Sequence, residues 1–249
     1  MTPIMVALLE VCILKKVGGM PPEQIRKFEI PVLDRFVSHC HIRHFASKTP
    51  VVNAGDSSSS LFLVIAGSVA VIVEDEDGNE IVVAYLNRGE FFGEMGLFTE
   101  DSTRSAWVRT RSECQLAEIS YARFRELAHN DPDLLFALAG QLVARLKRTT
   151  RKVSDLAFLD VTGRIARTLL DLCQQPDAMT HPDGMQIRIS RQEIGRIVGC
   201  SREMAGRVLK ALEEQGLVGA SGKTIVVFGA RPDSDITIPL SRQLAHAHR

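Results

Sequence analysis

Cysteine is scarce and unpatterned in this chain. Cys12, Cys40, Cys114, Cys173 and Cys200 are an odd number, widely scattered, with no C-x-x-C among them. That excludes a disulfide-stapled scaffold and a cysteine-only zinc site, and it fits a reducing cytoplasm. No apolar run approaches the roughly 18 residues that a membrane span needs. No nucleophile elbow, P-loop or H-E-x-x-H is present, so the chain is not read as an enzyme. Net charge is also missing: 30 Lys and Arg stand against 30 Asp and Glu.

What is present fits a two-domain protein. The chain has 249 residues, 45% of them hydrophobic, which is ample for packed cores. The neutral total hides an uneven distribution. Residues 29–144 hold 9 basic and 17 acidic side chains, whereas 145–224 hold 14 and 9. A basic segment after an acidic one points to a polyanionic partner for the later part, nucleic acid or a membrane surface. Over residues 1–28, Met5–Leu14 is apolar, contains Glu10 and precedes Lys15-Lys16. A secretory signal would carry its positive charge ahead of the apolar stretch, so this is read as an extension of unknown role.

Residues 29–130 read as a β-roll. Leu61–Val73 and Glu80–Tyr85 are rich in Val, Ile and Leu, and Asp77-Gly78 between them is a hairpin signal. Gly55-Asp56, Gly67, Gly89 and Gly93 punctuate further short segments, as in an all-β sandwich or barrel. The period then changes. Asp131-Pro132 can open a helix, and Leu135, Leu138, Leu142, Leu146, Thr149, Val153 and Leu156 follow at steps of three and four. That heptad-like repeat over 131–158 predicts a dimer seam, with a helix packed on its own domain as the alternative. Thr149, followed by Thr150, puts a polar side chain on the seam.

Residues 159–231 read as a winged helix-turn-helix, making the whole chain α+β. A helix near Val161–Cys173 precedes a Pro-bounded loop, Gln174–Gly184, and a strand, Met185–Ile189. Ser190-x-x-Glu193 is a capping box, Gly199-Cys200 forces a turn, and Ser201 can cap the next helix. Small or apolar residues at Ile194, Gly195, Val198, Ala205 and Val208 suit two helices crossing steeply. The outer face then carries Arg202, Glu203, Arg207 and Lys210. Arginine donates bidentately to guanine and carboxylate accepts from cytosine N4, which favours a G·C-containing major groove over a merely solvated face. The wing follows at Leu217–Phe228, and residues 232–249 lack periodicity, as a mobile tail would.

A second constellation lies in the β-roll. Gly93-Glu94-Met95-Gly96-Leu97-Phe98 is followed closely by Arg104-Ser105-Ala106. Glycines let backbone amides approach a phosphate or sugar, an acidic residue can hold a ribose hydroxyl, and Arg beside Ser can cradle a phosphate.

These residues carry a resemblance. Gly93–Phe98 with Arg104-Ser105 resembles the phosphate-binding cassette of cyclic-nucleotide-binding domains. Together with Arg151–Arg167, Gln175–Gly184 and Ser190–Arg207, it is similar to the cyclic-AMP receptor protein (catabolite activator) family of bacterial transcription regulators, nearest its virulence factor regulator branch. The resemblance covers about residues 30–231. It implies a cytoplasmic homodimer that takes cyclic AMP as an allosteric ligand, then binds palindromic double-stranded DNA and contacts RNA polymerase. It implies that Gly93 offers a backbone amide, Glu94 binds the ribose 2′-hydroxyl, and Arg104 with Ser105 binds the cyclic phosphate. Thr149 would bond the adenine amino group and Thr150 would reach the base from the partner subunit. Arg202, Glu203 and Arg207 would read bases, Gln192, Ser201 and Lys210 would touch phosphates, and Thr180 with His181 would meet polymerase. Two departures stand out. Thr150 replaces a serine of the best-known member, keeping the hydroxyl, and Glu74 replaces a basic one, so a second polymerase contact is not carried over.

A same-fold regulator answering to cyclic GMP, haem or a metal, or binding DNA without ligand, is the alternative. Iron–sulfur relatives carry an amino-terminal cysteine cluster that is missing here. His39, Cys40, His41 and His44 offer metal-ligand chemistry, but neighbours on an extended segment face opposite ways, so no metal is expected. A ligand at the seam would favour one placement of the two halves about Phe158–Asp160, holding paired recognition helices about 34 Å apart, one turn of duplex.

Overall fold

The computed structural model describes residues 30–99 and 103–232. The extension read over 1–28 lies outside them, as does the tail read over 232–249 apart from Pro232. The described residues form two compact units, one holding those up to Arg164 together with Gly195–Ser201, the other Ile165–Ile194 and those from Arg202 onward.

The first unit is built on eight strands: β1 His41–Phe45, β2 Pro50–Val52, β3 Ser60–Ala66, β4 Ser68–Glu74, β5 Glu80–Asn87, β6 Phe91–Phe92, β7 Trp107–Thr110 and β8 Cys114–Ser120. They pair antiparallel in two four-stranded sheets, ordered β1-β8-β3-β6 and β2-β7-β4-β5. Strand β3 shows why Leu61–Val64 has no polar alternation. Successive side chains leave a strand on opposite faces. Phe62 and Val64 enter a core with Val69, Leu86, Val108 and Leu116. Leu61 and Leu63 enter another with Phe36, Phe91, Phe124 and Leu138. Both faces are buried, so both must be apolar. Gly67 breaks the long apolar run into β3 and β4: its φ is +81°, and a Cβ there would lie 2.2 Å from the Glu113 carbonyl oxygen. At the β4–β5 tip the carboxylate of Asp75 accepts from the amides of Asp77 and Asn79 and from the Asn79 side chain, closing the Asp77-Gly78 turn.

Helices in this unit are α1 Ile30–Val37, α2 Met95–Phe98, α3 Tyr121–Asn130, α4 Asp133–Phe158 and the start of α5 Val161–Leu172. Three of them, α1, α2 and α3, lie within the residues 29–130 assigned to the β-roll, and α2 interrupts the stretch from about 40 to 122 read as strands and turns. Their apolar residues cap one face of the roll, Phe36 meeting Phe91 and Phe124 edge to face. Helix α4 opens after Pro132 as the Asp-Pro pair indicates. Its apolar repeat serves two purposes rather than one. Leu138 is 1% exposed in the roll's own core and Leu142 packs against it, whereas Leu146, 67% exposed, shares an open stripe with Val153 and Leu156. Leu138 and Leu142 thus dock on their own domain, whereas Leu146, Val153 and Leu156 do not.

The second unit contains most of α5, α6 Arg191–Val198 up to Ile194, α7 Arg202–Glu214, and a four-stranded sheet. That sheet, ordered β11-β12-β10-β9, comprises β9 Met179–His181, β10 Gly184–Arg188, β11 Val218–Ser221 and β12 Thr224–Phe228. The stretch read as a loop holds β9, with Thr180 opposite Met185 and His181 opposite Gly184. Ile165, Leu169, Met185, Ile187, Ile194, Leu209, Leu212 and Ile225 are all buried.

Candidate functional site

The cassette is a short turn between β6 and α2. Gly93 has φ +78°, and a Cβ there would sit 2.6 Å from Arg104 Nη1, so only glycine leaves the cradle open. Glu94 follows at the amino end of α2 and is 6% exposed. Arg104 is 9% exposed, and its two terminal nitrogens donate to the Gly93 carbonyl at 3.1 Å, the Ser60 carbonyl at 2.8 Å, the Ser60 hydroxyl at 3.2 Å and the Tyr121 hydroxyl at 3.3 Å. All four acceptors are neutral. A buried guanidinium held on neutral oxygens keeps its charge for an anion brought to it. Ser105 is exposed beside it and donates from Oγ to Met95 Sδ at 3.2 Å.

Two further groups complete the cradle, and neither stood out in the sequence. Arg145 of α4 closes a 2.8 Å ion pair with Glu94 and donates to the Phe91 carbonyl at 2.6 Å. Tyr121, at the start of α3, donates to the Gly93 carbonyl and lies 2.6 Å from Ser58 Oγ. A basic residue on a helix ordinarily reads as solvated, and only its i,i+4 step to Thr149 could have drawn attention to Arg145. The structure brings Gly93, Glu94, Arg104 and Ser105 together. Thr149 lies one helical turn beyond Arg145, and Thr150 lies on the open stripe between Leu146 and Val153; both threonines are exposed.

The elements of the basic face are as the sequence indicates. Ser190 Oγ accepts from the Glu193 amide at 3.1 Å, one half of the capping box. The turn needs two glycines: Gly199 has φ +74°, and a Cβ on Gly195 would meet the Cys200 carbonyl oxygen at 2.5 Å. Gln192, Ser201, Arg202, Glu203, Arg207 and Lys210 are all exposed, whereas Ala205, Val208 and Leu209 are buried. The alternation puts the charges of α7 outward. Lys210 faces Glu214 at 3.8 Å, a loose and exposed pair. Thr180 is exposed and His181 half-buried on β9, the latter accepting at Nδ1 from the Asp183 amide.

No group of three metal-ligating side chains occurs among the described residues. Cys40 instead donates to the Phe36 carbonyl, and burial pushes its thiol up to about 12. No helix there is long and apolar enough to cross a membrane.

Comparison with known proteins agrees with this geometry. Residues 42–131 match the cyclic nucleotide-binding domain family, and residues 187–218 match the crp family of bacterial regulatory proteins. The chain is 63% identical over 202 residues to the cAMP-activated global transcriptional regulator Vfr of Pseudomonas aeruginosa, covering 80% of this chain and 94% of that one. It is 58% identical over 201 residues to the cAMP-activated global transcriptional regulator CRP of Pasteurella multocida, covering 81% and 96%. Among solved structures, the c-di-GMP responsive global regulator CLP of Xanthomonas campestris superposes with a TM-score of 0.76 at 51% identity, covering 81% of this chain and all of that one. At such identity over nearly the whole length of these relatives, the chain belongs to the Crp family of bacterial regulatory proteins.

Proposed function

We propose that this protein is a cyclic-AMP-dependent, homodimeric, cytoplasmic transcription regulator that binds palindromic DNA and contacts RNA polymerase. The observation that carries the reading is the cradle around Gly93, where the buried Arg104 guanidinium bonds to the turn that carries the buried Glu94 carboxylate. The relatives named as cAMP-activated regulators support the same ligand.

In this reading Arg104 and Ser105 hold the cyclic phosphate by charge-assisted bonds, with the backbone amide of Gly93 as a further donor. Glu94 takes the ribose 2′-hydroxyl, its carboxylate fixed by Arg145. Thr149 meets the adenine amino group, and Thr150 serves the base bound across the dimer. The open stripe of α4, Leu146, Val153 and Leu156, then meets a second copy, which a soluble protein would otherwise leave as exposed apolar surface. Arg202, Glu203 and Arg207 read base edges, while Gln192, Ser201 and Lys210 neutralise or bond phosphates. Thr180 and His181 form the polymerase-facing surface.

Calorimetric titration of cyclic AMP, with and without a palindromic operator of the form TGTGA-spacer-TCACA, tests the coupling. Linkage requires operator to tighten cyclic-AMP binding by the factor by which cyclic AMP tightens operator binding. Equal affinities in the two titrations would refute it. The Xanthomonas relative motivates a second reading, a cyclic dinucleotide in the same cradle. A parallel titration with cyclic di-GMP separates the two, and binding of that nucleotide in place of cyclic AMP would favour it.

A further inference from the structure

Tyr121 is the least expected member of the cradle. It is one of two tyrosines in the chain, sits where β8 passes into α3, and is 7% exposed. Its ring belongs to the core with Leu61, Phe91 and Phe124. Packing alone would be met by phenylalanine, so the hydroxyl needs its own account.

Hydrogen-bond accounting supplies one. The Gly93 carbonyl can only accept, so the single phenolic proton points to it. The Ser58 hydroxyl, 2.6 Å away, must then donate to the phenol oxygen, and Arg104 Nη1 donates to it as well at 3.3 Å. The phenol is therefore saturated, with one bond given and two received. The Gly93 carbonyl is also saturated, by Tyr121 and by Arg104 at 3.1 Å. Arg104, Gly93 and Tyr121 thus close a triangle in which each fixes the other two. Because the peptide is planar and trans, a carbonyl pinned on one side sends the following amide, that of Glu94, to the other.

We propose that Tyr121 is a positioning residue of the nucleotide site: its hydroxyl sets the orientation of the Arg104 guanidinium and of the Gly93–Glu94 peptide, and so decides which exocyclic oxygen of a cyclic phosphodiester is gripped. It touches no ligand itself. This rests on the cyclic-AMP reading above and adds to it a residue and a stereochemical consequence.

Tyr121→Phe tests it, because the ring and its packing remain. Three ligands are titrated into wild type and variant: cyclic AMP and its two phosphorothioate diastereomers, each of which replaces one exocyclic oxygen by sulfur. Wild type is expected to bind cyclic AMP and to prefer one diastereomer. The variant is expected to melt within a few degrees of wild type, to bind cyclic AMP about tenfold more weakly, because only part of what the phenol's three hydrogen bonds contribute bears on the ligand, and to lose most of the preference. Unchanged affinity and preference in a variant of a wild type that binds would overturn the role of Tyr121 alone. Equal weakening toward both diastereomers with a clear drop in Tm would overturn it too, reducing Tyr121 to a packing residue. Failure of wild type to bind any of the three would remove the nucleotide reading, and this inference with it.

Discussion

Arg145 and Glu94 face each other across the junction of helix α4 and the β-roll, with Nη1 to Oε1 at 2.8 Å and both side chains largely shielded from water. Glu94 belongs to the cassette and Arg145 to the helix that carries Thr149, so the pair ties the end of the cradle proposed to hold the sugar to the element proposed to meet the partner. Breaking a shielded pair from one side leaves a charge without its counterion, which costs about 3–5 kcal/mol. Arg145→Met is expected to lower Tm and weaken cyclic-AMP binding. Adding Glu94→Gln in the same chain should restore much of the stability but none of the binding. A double variant no more stable than Arg145→Met would show that the pair contributes no coupling.

Arg104→Leu removes the guanidinium that the cradle is built around. Four acceptors, at Gly93, Ser60 and Tyr121, each lose a donor. Cyclic-AMP binding should disappear, and with it any nucleotide-dependent change in operator affinity. A titration indistinguishable from wild type would dismiss Arg104 as the phosphate's partner.

Much of this was legible in the sequence, and what was not has a common cause. Gly93, Glu94, Arg104 and Ser105 stand close in sequence with distinctive chemistry, so their meeting could be expected. The turn at Gly199 and the alternation along α7 follow from local rules. Arg145 and Tyr121 acquire meaning only by what lies against them, and a lone arginine on a helix or tyrosine after a strand says nothing of that. The heptad-like repeat of α4 divides in an instructive way. Leu138 and Leu146 satisfy the same spacing, yet one fills the roll's own core and the other lies open. Periodicity reports an apolar face, not what lies against it.

Thiol chemistry provides a pH test of the fold. Burial pushes Cys40 up to about 12 and Cys173 up to about 11, from an ordinary 9.0. Both thiols therefore stay neutral in the native protein at pH 8 and should react slowly with iodoacetamide, and rapidly once the protein is unfolded. The sign for stability follows. Below pH 9 both states hold the proton and the contribution is fully present. Above it the unfolded thiols ionise first, so stability should fall between about pH 9 and 12. Fast native labelling of either cysteine at pH 8 would contradict the burial.

Arg202 and Lys210 separate base reading from phosphate contact. Both are exposed on α7. Arg202→Ala should cost about 1–3 kcal/mol on the preferred operator and relax specificity at one base pair. Lys210→Ala should weaken all sequences alike and lower the slope of log K against log salt by about one unit. Its loose pair with Glu214 is too exposed to offset that loss. A uniform effect of Arg202→Ala across operators would reassign it to the backbone.

Gly195→Ala sets two effects against each other. Alanine is the better helix former, by about 1 kcal/mol in an exposed helix. Here the new methyl would stand 2.5 Å from the Cys200 carbonyl oxygen, a backbone atom that cannot swing aside. That same turn carries the amides of Gly199 and Cys200 back to the Gly195 carbonyl, at 2.8 and 3.0 Å, so relieving the clash disturbs the hydrogen bonds that define it. Overpacking of this kind costs about 1–3 kcal/mol and outweighs the propensity gain. The variant should melt at a lower temperature and bind operator poorly, while cyclic-AMP binding in the β-roll stays as in wild type. A variant that is more stable and binds operator normally would mean that helix propensity prevails and that the turn tolerates a wider angle.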